Sequence, residues 1–310
     1  KDCSLSQLSV VVNPEHLFLN YVYRSSVSKT FQEHCRLMVG KVITKINQDV
    51  NDLVVDIASN DGCLLQQFKN KGFRILGVEP AMNIAKIANS NGIETLCSFW
   101  CIEIANNIMN KYGKARVITA TNVLAHVDNL NEFIESVCVL LEKDGLFIIE
   151  VPYLYDLLQK NEFDTIYHEH LSYFLVKPLK RLYESNSLKI VNIEKYSIHG
   201  GTLRIYAVKK DLKESNTVQE FLNFENRQKL YNIKTYLSFD NRVRLIRSQL
   251  LALLEEFRLK NKKVVAYGAS AKGNTLLNYC GINSSLISFI VDDTPEKQNK
   301  IAPGSGIPIR

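Results

Sequence analysis

The chain of 310 residues is 46% apolar and 23% charged, enough to bury at least one substantial core, and its length suits two domains. Its longest apolar runs, such as residues 250–254 and 146–149, fall far short of the roughly 20 residues that cross a bilayer, so no membrane partner is expected. The net charge of +6 is dispersed along the chain with no arginine-rich stripe interleaved with aromatics, which disfavours nucleic acid and leaves a small phosphorylated ligand as the fitting anion.

In chain order, Ser28 is placed to cap a first amphipathic helix. Apolar runs then predict strands at 53–58, 74–79, near Thr95, 115–121, 145–151, 189–196 and 202–208, with helices starting near Asp61, Ala81, Cys101 and Asn129 between the first five. The last two strands are joined by His199-Gly200-Gly201, a short loop that reads as a hairpin turn. Five parallel strands closed by an antiparallel hairpin make an α/β sheet unlike a plain dinucleotide-binding one. Residues 218–259 contain no Gly or Pro and read as one long helix or a pair; a second α/β unit follows, with strands at 263–269 and 286–292 around a helix at 271–280. The expected divisions are a lead-in at 1–45, a cofactor domain at 46–210, a helical linker at 211–260 and a Rossmann-like unit at 261–310. The first residue is Lys1, residues 307–310 begin a strand-like pattern, and both ends read as cut. Seven scattered cysteines without a CxxC pair, and no charged-then-apolar leader, suit reduced thiols in a cytoplasmic compartment.

Three stretches carry chemistry. The first strand ends in Asp56-Ile57-Ala58-Ser59-Asn60-Asp61-Gly62, a turn into a helix in which Gly62 permits close backbone approach and Asn60 tolerates positive φ. Glu79 follows about 20 residues later, where a carboxylate takes both hydroxyls of a ribose. The GxGxxG spacing that a pyrophosphate wants is absent, which points to S-adenosylmethionine over a nicotinamide cofactor; an ordinary strand-to-helix turn has the same look. After the fourth strand, Asn122 and His126 fall at the carboxyl end of the sheet beside that turn, His126 being either a site residue or a capping or core histidine. Phe163-Asp164-Thr165-Ile166-Tyr167-His168-Glu169-His170 offers a base, a carboxylate to orient it and a phenol to stabilise an enolate. A metal site at His168, Glu169 and His170 competes, without a third ligand at a familiar spacing, and a solvated polar loop remains open. Tyr21 and Tyr23, in the cluster 21–28, are site aromatics or simple packing, and Ser270 and Lys272 in Tyr267-Gly268-Ala269-Ser270-Ala271-Lys272-Gly273 make a phosphate cradle that is not a Walker loop.

Together, 21–28, Ser59-Asn60-Asp61-Gly62, 122–128, Tyr167-His168-Glu169-His170, 199–204 and 267–275 resemble the nucleotide-sugar C-methyltransferases, in order over nearly the whole chain. The resemblance implies a class I methyltransferase with a seven-stranded Rossmann-like sheet and a C-terminal Rossmann-like unit. It implies methylation of a carbon beside the ketone of a nucleotide-linked 4-keto deoxysugar held between those two domains, as in branched sugars for antibiotics and surface polysaccharides. The carried-over catalytic positions are Tyr21, His126, Tyr167, Glu169 and His170, the last as base, with Tyr23, His199, Gly200, Ser270 and Lys272 on the substrate. The family has glycine where Ala58 stands. Cys3 resembles the last ligand of an upstream zinc module whose other ligands would precede Lys1, so no metal is expected on these residues. The chain is expected to act as a monomer or homodimer. An O- or N-methyltransferase and a non-catalytic nucleotide-sugar binding protein are the rival readings.

Overall fold

The computed structural model describes residues 3–21, 23–46, 49, 51–209 and 214–310, residue 199 by its backbone alone. The elements are β1 (Ser6–Gln7), α1 (Pro14–Phe18), α2 (Lys29–Ile43), β2 (Leu53–Ile57), α3 (Cys63–Lys69), β3 (Arg74–Val78), α4 (Met82–Ser90), β4 (Thr95–Leu96), α5 (Ile102–Tyr112), β5 (Ala115–Thr121), α6 (Leu130–Leu140) and β6 (Leu141–Pro152). They continue with α7 (Leu154–Lys160), β7 (Ser172–Tyr173), α8 (Val176–Ser185), β8 (Lys189–Tyr196), β9 (Thr202–Val208), α9 (Asn216–Arg227), α10 (Ile233–Leu259), β10 (Ala266–Tyr267), α11 (Ala271–Cys280) and β11 (Ile290–Val291). They form two compact units, one of residues up to Leu154 with His168–Gln228, the other of Tyr155–Tyr167 with Lys229–Arg310.

The first unit is built on a seven-stranded sheet of order β4-β3-β2-β5-β6-β9-β8. β2 to β6 are parallel and β9 runs antiparallel to both β6 and β8, so the 189–208 hairpin closes the sheet as its sequence predicts. Every residue of β2 is buried, as expected where helices cover both faces of a parallel strand. Phe31, Cys35, Met38, Val39 and Val42 repeat at helical spacing on α2 and share a core with Leu64, Leu65 and Phe68 of α3 and with Val54, Val117 and Ile148 of the sheet. Ser28 Oγ accepts the Phe31 N–H at 3.2 Å and starts that helix. Strand order reverses between β2 and β5, so the loops leaving those strands diverge and open a crevice at the carboxyl edge.

One buried charge pair ties the antiparallel closure to the parallel strands. Glu150 of β6 and its cross-strand partner Arg204 of β9 are 0% and 1% exposed. Arg204 Nε donates to Glu150 Oε1 at 2.7 Å, and His34 Nε2 of α2 lies 2.8 and 2.9 Å from the same carboxylate. The Arg204 guanidinium also lies 4.3 Å from the centre of the Tyr196 ring. Burial pushes the Glu150 carboxyl up, but His34 and Arg204 together hold it below the usual carboxylate range.

In the second unit β10 and β11 pair in parallel, and residues 308–310 add to the outer side of β11, the strand-like pattern seen at the end of the sequence. Its core gathers Leu254 of α10, Leu277 and Cys280 of α11, and Ile287, Ile290, Ile307 and Ile309. The two strands are shorter than the predicted 263–269 and 286–292, although their ladder continues as Ser288 N to Val264 O and Gly268 N to Val291 O. The division also differs from boundaries at 210 and 260. α9 packs with α8 and β8 in the first unit, whereas Leu254 commits α10 to the second core. Segment 155–167 joins the second unit because Phe163 packs against Tyr279, ring centres 5.1 Å apart. Among the described residues no helix is long and apolar enough to cross a membrane.

Arg204→Met leaves Glu150 buried beside a histidine alone and is expected to cost about 3–5 kcal/mol in denaturant unfolding. A Glu150→Met, Arg204→Met protein should recover most of that loss, because no uncompensated charge then remains inside.

Candidate active site

The turn after β2 is shaped by backbone conformation before any side chain acts. Ala58, Asn60 and Gly62 have φ of 55°, 52° and 81°, three left-handed residues in five. Asn tolerates that region and Gly is free in it, whereas Ala58 bears a strain of about 1–2 kcal/mol that glycine would avoid. Gly77 of β3 makes room for the turn: a Cβ there would lie 2.5 Å from Ser59 Oγ, a buried hydroxyl with no hydrogen-bond partner among the described residues.

Glu79, buried at the end of β3, closes the turn. Its Oε2 accepts the Asn60 N–H and its Oε1 the Ala81 N–H, both at 2.9 Å. Burial raises its pKa and the two amides pull it partly back. A carboxylate has about four acceptor sites, so each oxygen retains one for a ligand hydroxyl. Asp56 sits beneath, taking the Thr119 hydroxyl at 2.6 Å. Residues 56–62 include no cation, and Asp61 is taken up by Arg24 at 3.8 Å and by the Ser26 hydroxyl, so the acceptors left on Glu79 suit a ribose diol while the turn offers no charge of its own to a pyrophosphate.

A strap made of residues 19–21 and 23–28 bonds to this turn and to the start of α4. Asn60 Oδ1 accepts the Ser25 N–H at 2.9 Å and its Nδ2 donates to Tyr23 O at 3.1 Å. Asp61 accepts the Ser26 hydroxyl at 2.5 Å, and Asn83 of α4 pairs with the Tyr21 backbone. Tyr23 is half-exposed, its hydroxyl pushed up by partial burial and by Asp61.

At the strap's near end the Tyr21 hydroxyl donates to the Glu169 carboxylate, which burial holds above its ordinary pKa and this bond pulls partly back. The His126 and His170 rings lie 5.0 Å apart, with Phe18 edge-on to His126 at 5.4 Å. Burial, and then His170, depress the His126 pKa to about 4, so the ring is neutral at physiological pH. Its Nδ1 lies 2.6 Å from the Glu169 carbonyl oxygen and must be the nitrogen that carries the proton. His126 therefore pins the 169–170 segment. Leu171 N bonds Ala125 O at 2.7 Å beside it. His168 is exposed and His170 half-buried, which separates the two histidines of the motif, and among the described residues no three His, Cys, Asp or Glu side chains converge as a metal site.

Tyr21, His126, Glu169 and His170 thus come together in the first unit, which also holds Asp56, Ala58, Asn60, Gly62 and Glu79. Asn122, with φ of 56°, leaves β5 with its N–H on Glu150 O at 2.8 Å. Gly200 has φ of 87° in the hairpin turn, and the His199 side chain lies outside the described residues. Tyr167, Ser270 and Lys272 belong to the second unit. There Ser270 Oγ caps α11 by accepting the Gly273 N–H at 3.0 Å, and Lys272 draws down the pKa that burial raises at Glu162. Asp292, at the end of β11, accepts the Ala269 N–H at 2.7 Å and the Thr294 N–H at 2.9 Å, and the bonds from Thr294 foremost hold it well below the usual carboxylate range. Sequence reasoning missed Asn83 and the Glu150–Arg204–His34 group. Two opposite charges inside apolar strand runs were the available signal for the latter.

Residues 31–193 match the family described as methyltransferase domain, and residues 197–310 match the C-methyltransferase C-terminal domain. The C-methyltransferase NovU of Streptomyces niveus is 38% identical over 309 residues, 99% of this chain and 74% of that protein. The chain belongs to the C-methyltransferase family. This C-methyltransferase takes S-adenosylmethionine as cofactor, and the residues of the β2 turn fit it. Solved structures similar to it include the protein PH0226 from Pyrococcus horikoshii OT3 (TM-score 0.48, 14% identity, 64% of this chain and 97% of that chain). Another is magnesium protoporphyrin IX methyltransferase (ChlM) from Synechocystis PCC 6803 with bound SAM (TM-score 0.44, 12% identity, 58% and 79%).

Burial, opposed by the Thr119 hydroxyl and reinforced by Glu79, holds Asp56 at about 7 against 3.8 for a free aspartate. The folded state keeps a proton that the unfolded chain releases, so this group's stabilisation is full below about pH 4 and is lost as pH rises through about 7. Asp56→Asn is expected to remove a fall of order 4 kcal/mol across that window, read from unfolding free energies at stepped pH.

Proposed function

We propose that this C-methyltransferase methylates the carbon beside the ketone of a nucleotide-linked 4-keto deoxysugar. The observation that carries the reading is the meeting of Tyr21, Glu169, His126 and His170 in the unit whose β2 turn is closed by Glu79. S-adenosylmethionine supplies an electrophilic methyl group and a good leaving group. The chain's own task is then to make carbon nucleophilic and hold it in line.

His170 takes the proton from the carbon beside the ketone, and the electron pair of that C–H bond passes into the enolate. Glu169 orients His170, Tyr21 holds Glu169, and Tyr167 donates to the enolate oxygen. With S-adenosylmethionine bound, this carbon would take its methyl group as the methyl–sulfur bond opened, and His170 keeps the proton. The neutral ring of His126, its proton committed to the Glu169 carbonyl, serves by fixing the base's segment and is not an oxyanion donor. Tyr23, His199 and Gly200 contact the sugar, and Ser270 and Lys272 hold the nucleotide phosphates, the lysine supplying the charge that the β2 turn lacks. The seven free thiols support a cytoplasmic setting.

Calorimetry with S-adenosylhomocysteine should give micromolar binding that Glu79→Ala abolishes. With a 4-keto deoxysugar nucleotide and S-adenosylhomocysteine in heavy water, the wild type should exchange the proton beside the ketone, followed by NMR. His170→Asn should slow that exchange by at least about 100-fold while binding the cofactor product normally. A wild type that exchanges nothing at carbon, or that methylates oxygen, would refute the substrate and mechanism while leaving the cofactor site intact.

A further inference from the structure

We infer that Asn83 is a positioning residue, setting Tyr21 and through it Glu169 by a two-bond clamp from the helix that follows the ribose-binding carboxylate. Asn83 is the second residue of α4, four positions after Glu79. Its Oδ1 accepts the Tyr21 N–H at 3.1 Å and its Nδ2 donates to the Tyr21 carbonyl at 2.6 Å. Two opposed bonds from one planar amide to the N–H and C=O of one residue imitate a strand pairing and fix both the place and the tilt of that residue. Met82 N donates to Leu19 O at 3.3 Å beside it. Asn60 makes the matching pair farther along, to Ser25 N and Tyr23 O. Tyr21 on one side and Tyr23 and Ser25 on the other are thus held by side chains of the first turn of α4 and of the cofactor turn itself.

The consequence for the reaction runs through one hydroxyl. Tyr21 is the strap residue that bonds Glu169, so the setting of Glu169 depends on where α4 places the Tyr21 backbone. A loss of about 1 Å in that placement is enough to cost a large factor in rate without touching the chemistry. Asn83 itself is exposed and contributes nothing to the core, which separates its effect on placement from an effect on folding. The inference rests on the catalytic reading of Tyr21 and Glu169.

The test is a double-mutant cycle on the full chain, with a 4-keto deoxysugar nucleotide and S-adenosylmethionine as substrates. Asn83→Ala is expected to lower kcat about tenfold while leaving the KM for S-adenosylmethionine within about twofold. In a Tyr21→Phe background the same substitution should change kcat by less than about twofold, because the hydroxyl it positions is gone. Tyr21 pulls down the pKa of Glu169, so Asn83→Ala and Tyr21→Phe should each move the acid limb of the kcat profile to higher pH, and the double variant no further. Asn83→Asp keeps the size of the side chain and sets an oxygen against the Tyr21 carbonyl; it should lose at least as much as alanine, and it stands in where Asn83→Ala fails to fold. Equal loss in both backgrounds, or an unmoved acid limb, overturns the positioning role alone. A Tyr21→Phe protein with unchanged kcat overturns the catalytic reading and this proposal with it.

Discussion

Left-handed backbone at the end of β2 is the constraint from which the rest of the site follows. Turning from strand to helix through Ala58, Asn60 and Gly62 lets the Asn60 N–H reach Glu79 while its side-chain amide reaches the strap, so one residue serves both the Glu79 carboxylate and the segment above it. Had the turn been built from glycines alone, the cradle would stand but the strap would lose its hold. Asparagine, tolerant of positive φ and equipped with one donor group and one acceptor, meets both demands. Ala58 carries the conformation without such compensation, and its strain is sustained by the packing of β2 and α3 around it.

The opposite flank depends on charge. A parallel sheet covered on both faces leaves no water for Glu150 or Arg204, and each is tolerable only because the other is its cross-strand neighbour. Such a pair adds little net stability against an apolar alternative, but it is intolerant of register shift: slipping β9 by one residue would turn Arg204 to the other face and leave Glu150 with His34 alone. The pair thereby sets the hairpin turn at Gly200 relative to Asn122, whose N–H rests on the Glu150 carbonyl.

Much of this was legible in the sequence, and the exceptions have physical causes. The strand at 53–57 is buried at every residue, and those at 74–78 and 115–121 over most of their length, so their apolar runs stand out in the sequence. Tyr21, His126, Glu169 and His170 stand out as residue types in a family pattern, and the fold brings them together. Asn83 does not stand out, since an amide in the first turn of a helix looks like any other surface residue until its partner 62 positions earlier is known. Glu150 and Arg204 are visible as charges in apolar runs, yet their pairing needs the register of strands that are 54 residues apart. The docking of 155–167 on the second core is likewise non-local, resting on Phe163 against Tyr279.

The second unit's turn has one more consequence. Asp292 already holds the Ala269 and Thr294 amides, so the loop opening α11 is shaped before any ligand arrives. A phosphate held there, as proposed for the nucleotide, would meet a pre-organised surface and forfeit little chain entropy on arrival. Its capture should proceed close to rigid-body encounter, with selectivity resting on how well the anion's shape matches a fixed loop and hardly at all on how far the loop has to move.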